Sequence, residues 1–301
     1  MALRPSIIDI HHHAIFQNHH TNLKLPNWSI ESDEEAMERM GISGALLSLP
    51  ISGPVEAVRK INTGLAELSN FNCTKYGMLA SLPMLDIDGS LHEIDFALNA
   101  LSADGFILPT NFQGVYLGNE KLLPILEELN RQNAVVLVHP TMPAGDNLPT
   151  FDRDLSVYEY PLETTRSVMD MVYKNRLIQF PKIKWIIAHA GGTIPFLAYR
   201  LSIAGEWNGI TQTKDEVIKS LRSLYFDLAL STSPAVFSSL QYLGVDHHIV
   251  FGTDFPLRFE ENVSRSIKEM NAFNGFTDFD KRSIFSATAQ SLFKRFQEIE
   301  L

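Results

Sequence analysis

Cysteine is almost absent from this sequence, since Cys73 is the single one among 301 residues. An internal disulfide is therefore excluded, and so few thiols are typical of the reducing cytosol, which leads us to expect a cytoplasmic location. Long apolar runs are absent as well, so the sequence predicts no membrane span. The first residues, MALRPS, lead directly into a strand-like segment, so we expect no signal peptide.

Positive charge is also scarce. The chain has 25 lysines and arginines against 35 aspartates and glutamates, which gives a formal net charge of -10. This balance argues against nucleic acids and anionic membranes as partners.

Two glycine motifs are missing too. Without G-x-G-x-x-G nothing indicates a dinucleotide-binding turn, and without G-x-S-x-G nothing indicates a serine nucleophile.

The sequence does contain a regular alternation of short apolar runs and longer amphipathic segments. Eight runs are predicted as strands, namely IIDIHHH, GALLSL, KYGMLASLP, GFILPT, AVVLVHP, KWIIAHA, LYFDLA and HIVFGTD. Alternation of strands and helices predicts an α/β protein with a parallel sheet. Eight repeats in a chain of this length indicate a closed (β/α)8 TIM barrel, with a doubly wound open sheet as the alternative. We expect one domain over residues 1–301, in which the tail DKRSIFSATAQSLFKRFQEI forms closing helices.

The first predicted strand ends in three consecutive histidines. Because alternate residues of a strand share one face, Asp9, His11 and His13 are predicted on one face. His12 is predicted on the other face, towards the helical layer. Two imidazoles on one face at a strand end are half of a typical zinc site.

Three further strands end in a polar side chain that suits a metal. These are His139 in LVHP, His189 in IIAHAGG and Asp254 in FGTDFP. Taken singly, each histidine could be a hydrogen-bonded core residue, and the aspartate could be a helix N-cap. A closed barrel, however, brings all of these strand ends to one rim. The joint pattern therefore predicts a site for a divalent ion of the zinc class.

The remaining histidines have other predicted roles. The sequence predicts structural roles for His12, His92, His247 and His248. His19 and His20 lie in a long loop and could touch substrate. Two connections, residues 14–29 and 141–162, are long and aromatic, and a barrel would place both on the active rim. They are predicted to form either a lid over a pocket or plain surface loops. Trp28 is the best placed of their aromatic residues to contact substrate.

Several motifs resemble those of a known family. They are D-x-H-x-H at residues 9–13, VHP around His139, AHAGG followed by PF, GTDFP around Asp254, and the closing segment SATAQSLF. Together they resemble the amidohydrolase superfamily, in its branch of metal-dependent decarboxylases around aminocarboxymuconate-semialdehyde decarboxylase. The stretches LPNWS, YPLETTRSVMDMVY and GVYLG look closer still to 6-methylsalicylate decarboxylases.

The resemblance implies a ligand set and an assembly. It implies one divalent ion, zinc with manganese as the alternative, held by His11, His13, His139 and Asp254. It also implies that His189 lies beside a metal-bound water and that the protein is a homodimer or higher homo-oligomer. Binuclear members of the superfamily carry a lysine at the end of strand four. Here that strand reads GFILPTNF, which favours one metal over two.

The chain departs from the muconate enzymes in one respect. Those enzymes have an arginine after strand one that meets a substrate carboxylate, whereas residues 14–40 here offer only Lys24 and Arg39. A dicarboxylate substrate is therefore disfavoured. Arg200 has the spacing of an arginine that the family can lend across its dimer interface, and its alternative is an ordinary surface residue.

Three functions compete for the predicted site. The first is non-oxidative decarboxylation of a small carboxylic acid such as 6-methylsalicylate, with His189 or Asp254 delivering a proton to the ring carbon. The second is hydrolysis of an amide, lactone or ester, with the same two residues accepting a proton from water. The third is a metal-binding barrel without catalysis. The resemblance in the flanking segments favours decarboxylation.

Overall fold

A computed structural model describes residues 6–16, 27–145, 148, 151–205 and 211–299. Eight parallel strands form one sheet in the order β1-β2-β3-β4-β7-β8-β9-β10. These strands are β1 (Ile7–His13), β2 (Ile42–Ser48), β3 (Tyr76–Ala80), β4 (Gly105–Pro109), β7 (Val135–His139), β8 (Lys184–Ile187), β9 (Tyr225–Asp227) and β10 (Ile249–Val250). A small antiparallel hairpin of β5 (Asn111–Phe112) and β6 (Val115–Tyr116) follows β4.

The sheet closes on itself through the segment that follows β10. The Ile10 amide donates to the Phe251 carbonyl at 3.1 Å, and the Asp254 amide donates to the His11 carbonyl at 2.9 Å. His12 and Phe255 form a parallel bridge beside these bonds. The predicted (β/α)8 barrel is therefore confirmed, and the open doubly wound sheet was the wrong alternative.

Helices cover the outside of the barrel. They are α1 (Ile30–Met40), α2 (Val55–Ser69), α3 (Ile87–Asn99), α4 (Leu123–Arg131), α5 (Glu159–Tyr173), α6 (Arg176–Gln179), α7 (Ile194–Ser202), α8 (Lys214–Arg222), α9 (Pro234–Leu243), α10 (Glu260–Ala272), α11 (Asp278–Arg282) and α12 (Thr288–Leu292). Local sequence explains their limits. In α1, the Ser29 side chain caps the first turn and Gly41 ends the helix in the left-handed conformation, with φ of 75°. Among the described residues, no helix is long and apolar enough to cross a membrane.

The core has two layers. One lies between the strands and the outer helices, and the other fills the barrel with side chains such as Ile8, Ile107 and Ile186. Phe293 and Phe296 join this inner cluster from the C-terminal tail, as the predicted closing role requires. Phe296 packs close to Gly44, near the start of β2, so the tail closes the amino-terminal end of the barrel. The carboxyl ends of the strands remain for a functional site.

Candidate metal centre

Four side chains at the carboxyl rim converge on one point. They are His11, His13, His139 and Asp254, whose candidate ligand atoms all lie within 4.8 Å of one another. All four residues are buried. The barrel thus brings together the residues that the sequence predicted as ligands, although up to 243 positions separate them along the chain.

Hydrogen bonds at Nδ1 show that Nε2 is the nitrogen of His11 and of His139 that can bind a metal. His139 Nδ1 lies 2.8 Å from the Pro140 carbonyl, which can only accept, so Nδ1 carries the proton and Nε2 keeps its lone pair. His11 Nδ1 donates in the same way to Asp227 at 2.8 Å. His11 Nε2 and His139 Nε2 are buried and have no hydrogen-bond partner among the described residues. Such atoms are costly to bury alone, and a metal ion would satisfy both.

The pKa values of His13, His139 and Asp254 suit ligation. Burial alone would lower the pKa of His11, but Asp227, Asp254 and Asp9 raise it, so a metal ion would compete with a proton there. Burial, together with the charges of His11 and His13, lowers the pKa of His139 well below its usual range. Burial also lowers the pKa of His13. For Asp254 burial alone would raise the pKa, but the hydrogen bond from His13 and the neighbouring imidazoles hold it well below its usual range. Neutral imidazoles and an ionised carboxylate are the forms that bind a divalent cation, so the four residues fit one such ion.

His189 lies beside this group without belonging to it. Its ring centroid is 5.0 Å from that of His11, and its Nδ1 is 3.0 Å from the Ala229 carbonyl. Burial and the charge of His11 lower the pKa of His189. A neutral imidazole next to a metal centre, held by one carbonyl, is placed to exchange a proton with a bound molecule.

Asp227 is a functional residue that the sequence analysis did not identify. It ends β9, within the predicted strand LYFDLA, and a polar residue at that strand end was the available signal. Its Oδ2 accepts from His11 Nδ1, and its Oδ1 accepts from the amides of His189 and Ala229, each at 2.9 Å. Both oxygens are therefore occupied. Asp227 lies within ligand distance of His11 and His189, and its hydrogen bonds orient both residues.

The backbone conformation explains the residues of the AHAGG motif. His189 and Ala190 both have φ of 54°, and Gly191 and Gly192 have φ of 75° and 63°. A Cβ at Gly192 would also collide with the Pro161 carbonyl oxygen. The left-handed run turns the chain sharply after β8 and presents the His189 ring to the centre.

The first strand departs from simple alternation. Asp9 pairs with Ala45 and His12 with Leu47, so three steps on β1 face two steps on β2, which is a β-bulge. As a result the Asp9 carboxylate contacts His12 Nδ1, at 2.8 Å, and the prediction that Asp9 shares a face with His11 and His13 was wrong. His12 does face the helical layer as predicted, with Nε2 3.0 Å from Asp33 of α1. Burial alone would lower the pKa of His12, but Asp33 and Asp9 raise it to about 10.

Arg258 is a second residue that the sequence analysis overlooked. Its Nε lies 3.7 Å from Asp254 Oδ2, four residues along the chain from that aspartate, and its side chain is partly exposed. Tyr160 approaches from α5, where burial raises its pKa and the charges of Asp154 and Asp254 add to the shift. A cation and a phenol therefore lie at the edge of the centre.

The residues predicted to contact substrate have more varied positions. Trp28 is buried, donates from Nε1 to Asp33 at 2.7 Å, and lines a cavity of about 450 Å³ together with Phe255 and Arg258. Arg200 lies on an exposed face of α7. Substrate contact by either residue stays a prediction. His19, His20 and Lys24 lie outside the described residues. In the second long connection, Phe151 is 74% exposed and α5 already begins at Glu159, so the loop is shorter than predicted.

Comparison with known proteins agrees with this geometry. The family model described as Amidohydrolase matches residues 8–295. The chain is 30% identical to 6-methylsalicylic acid decarboxylase of Penicillium expansum, over 97% of both chains. It is 35% identical to 6-methylsalicylic acid decarboxylase of Aspergillus aculeatus, over 83% of this chain and 84% of the relative. A crystal structure of dihydroxybenzoic acid decarboxylase from Polaromonas sp. JS666 with bound manganese superposes with a TM-score of 0.81, at 18% identity over 97% of both chains.

Proposed function

The chain belongs to the amidohydrolase family, and from this premise we propose that it is a metal-dependent carboxy-lyase acting on a small hydroxybenzoate-like acid. The observation that carries the proposal is the buried group of three imidazoles and one carboxylate, in which His11 Nε2 and His139 Nε2 have no hydrogen-bond partner among the described residues. The relatives named 6-methylsalicylic acid decarboxylase supply the substrate class.

The proposed cofactor is one divalent ion. His11, His13, His139 and Asp254 would hold it, and zinc suits a set of imidazoles and one carboxylate. Manganese is the alternative, because the Polaromonas relative holds it. When bound, the ion supplies a Lewis acid and a template for the substrate carboxylate and its neighbouring oxygen. A second ion is disfavoured because strand β4 leads into Thr110 and Asn111 instead of a lysine.

The chain's own residues supply the proton that decarboxylation needs. A new C–H bond forms at the ring carbon, the C–C bond to the carboxylate breaks, and its electron pair stays with the ring as carbon dioxide leaves. Asp254 is a poor donor because its pKa is low and its Oδ2 faces Arg258. His189 is the better donor: burial lowers its pKa and keeps it neutral at rest, so it would first take up a proton at Nε2 and then release that proton readily to the ring carbon. Its Nδ1 is held by Ala229, so Nε2 is the atom that would transfer the proton.

The expected substrate carries a single carboxylate on a flat ring. The relatives named 6-methylsalicylic acid decarboxylase support this expectation. Arg39, the only arginine in residues 14–40, is paired with Glu260 and so does not offer itself to a second substrate carboxylate. The test is a rate comparison on the metal-loaded protein between 6-methylsalicylate and aminocarboxymuconate semialdehyde, with carbon dioxide release as the readout. We expect faster turnover of the aromatic acid. Asp254→Ala, loaded in the same way, is the matched control and should release no carbon dioxide.

Other results of the same assay would contradict the proposal. Faster turnover of the open-chain diacid would contradict the proposed substrate but would still support a carboxy-lyase activity. Turnover of amides or lactones alone would show that the site is hydrolytic. Metal analysis of the purified protein, followed by reconstitution with zinc or manganese, identifies the ion that supports the rate.

Three broader expectations stay predictions. They are a homodimer or higher homo-oligomer, a cytoplasmic location, and the absence of nucleic acid and membrane partners. Phe196 on α7 and Tyr242 on α9 are 82% and 93% exposed, and large exposed aromatic side chains favour contact with another chain. The net charge of -10 still disfavours polyanionic partners.

A further inference from the structure

A buried hydrogen-bond network lies directly behind the candidate metal centre, and Asp9 is at its middle. Asp9 Oδ1 accepts the amide N–H of His11 at 3.1 Å and that of Thr253 at 3.0 Å. Asp9 Oδ2 accepts from His12 Nδ1 at 2.8 Å and from the Thr253 hydroxyl. The carboxylate is fully buried, and each of its oxygens has two donors.

These bonds join the two backbone segments that carry metal ligands. His11 is itself a ligand candidate on β1, and Thr253 immediately precedes Asp254. The Thr253 hydroxyl also accepts the Phe255 amide at 3.0 Å, so the residues on both sides of Asp254 are tied down. Asp254 has φ of 63°, a conformation that a non-glycine residue keeps only when its surroundings impose it.

The other half of the network anchors this junction to helix α1. His12 Nε2 lies 3.0 Å from Asp33, which also accepts from Trp28 Nε1 at 2.7 Å and from the Tyr76 hydroxyl at 2.9 Å. Asp33, His12 and Tyr76 are all fully buried or nearly so. The donors and acceptors are thus matched from the metal ligands out to the cavity wall at Trp28.

We infer that Asp9 and Thr253 are positioning residues for the metal centre. They fix the backbones from which His11 and Asp254 project, and His12 with Asp33 holds them against α1. Ligand atoms must sit about 2.0–2.2 Å from a zinc ion, so loosening this junction weakens binding even though neither residue touches the ion. The inference rests on the proposed metal site and is independent of the substrate.

The test measures zinc affinity by competition with a chromophoric chelator. Asp9→Asn and Thr253→Val are expected to raise the zinc Kd about 10–100-fold, the usual effect of losing a partner that orients ligands. Thr253→Ser restores the hydroxyl and should restore the wild-type Kd. The visible spectrum of the cobalt-substituted protein is expected to change in Asp9→Asn and Thr253→Val and to stay unchanged in Thr253→Ser.

Glu93→Gln is the matched control for the loss of a buried carboxylate. Glu93 is fully buried and accepts from Arg59 at 2.6 Å and Asn62 at 2.8 Å, outside the histidine group. This variant should lose thermal stability and keep the wild-type zinc Kd. If Asp9→Asn does not fold, the Thr253 pair decides the question.

Two results would overturn the inference. One is a wild-type Kd in Asp9→Asn and Thr253→Val, and the other is an equal loss of affinity in Glu93→Gln. Failure of the proposed function has a different signature, because the wild-type protein would then bind no zinc or would bind it without releasing carbon dioxide from any acid.

Discussion

Three imidazoles at the carboxyl rim, those of His11, His139 and His189, each have a protein acceptor at Nδ1. His11 is held by Asp227 at the end of β9, His139 by the adjacent Pro140 carbonyl, and His189 by the carbonyl of Ala229. The partner fixes the ring and the tautomer, and the free nitrogen does the chemistry. Removing a ligand should therefore differ from removing the neighbouring acid–base residue.

Substitution of a residue that binds the metal should remove the metal from the centre. In His11→Ala or Asp254→Ala one of four converging donor groups is gone, so most of the bound metal is expected to be lost. Elemental analysis of the purified variants measures this. His92→Ala is the matched control, because His92 is exposed on α3, and it should keep the wild-type metal content. His12→Ala is a poor control, since it would leave two buried carboxylates without their partner.

His189→Asn should separate catalysis from binding. His189 is outside the four-residue ligand group, so this variant is expected to keep the metal and to lose about a hundredfold or more in kcat. Steady-state rates of carbon dioxide release and metal analysis on the same preparation provide the measurement. If the metal disappears together with the activity, His189 is a ligand and the single-ion assignment is wrong.

For individual residues, the sequence predicted the metal ligands near strand ends. It did not predict residues whose role depends on a tertiary contact. The four ligand candidates all lie in or just after the carboxyl-terminal part of a strand, and the barrel geometry brings them together. Arg258 has no such mark, because only the turn after Asp254 brings its guanidinium to that carboxylate. Because the role of Arg258 depends on this one tertiary contact, the sequence alone does not indicate it.

Among the elements, β1 shows how a period of two can mislead. All seven residues of the strand, IIDIHHH, are buried, so no alternation of buried and exposed positions indicates its register. One extra residue is accommodated between Asp9 and His12. The bulge turns Asp9 towards His12 while His11 and His13 still reach the centre. A fully buried strand carries no alternation from which such a bulge can be inferred.

The turn after β8 offers an element-scale test. Gly192→Ala must adopt φ of 63° and meets the Pro161 carbonyl, so we expect a loss of stability above the ~1–3 kcal/mol that strained backbone alone costs, together with reduced activity as His189 moves. Urea denaturation and kcat measure the two effects. Gly53→Ala is the control, because a Cβ there meets nothing within 4 Å, and it should change stability by no more than about 0.5 kcal/mol. Equal losses in both variants would contradict the steric explanation.

For the whole molecule, alternation and strand count were sufficient to predict the barrel. They could not show how it closes, because β10 is only two residues long and the joining bonds come from residues 251–255 after it. The same residues include Asp254, so closure of the barrel and completion of the centre occur together. The single domain over residues 1–301 stays a prediction.

Metal binding should therefore stabilise the entire fold. A ligand that binds only the native state at a free concentration of 100 times its Kd stabilises it by about 2.7 kcal/mol. We expect urea unfolding of the chelated protein to shift to higher denaturant when zinc is restored, since the two buried Nε2 atoms then gain a partner. Asp254→Ala should show no such shift. An unchanged midpoint in the wild type would contradict a native-state metal site that bridges the closing segments.

Cys73, exposed just before β3, has a practical consequence for work on this protein. It lies at the amino-terminal end of that strand, whereas the histidines and Asp254 lie at the carboxyl ends of theirs. As the sole thiol in the chain, it offers one attachment point for maleimide chemistry. Molecules captured on a maleimide-coated sensor would all be held by the same end of the barrel, with the catalytic rim facing the flowing solution. Substrate and metal binding could then be followed on a uniformly oriented layer without any engineered tag.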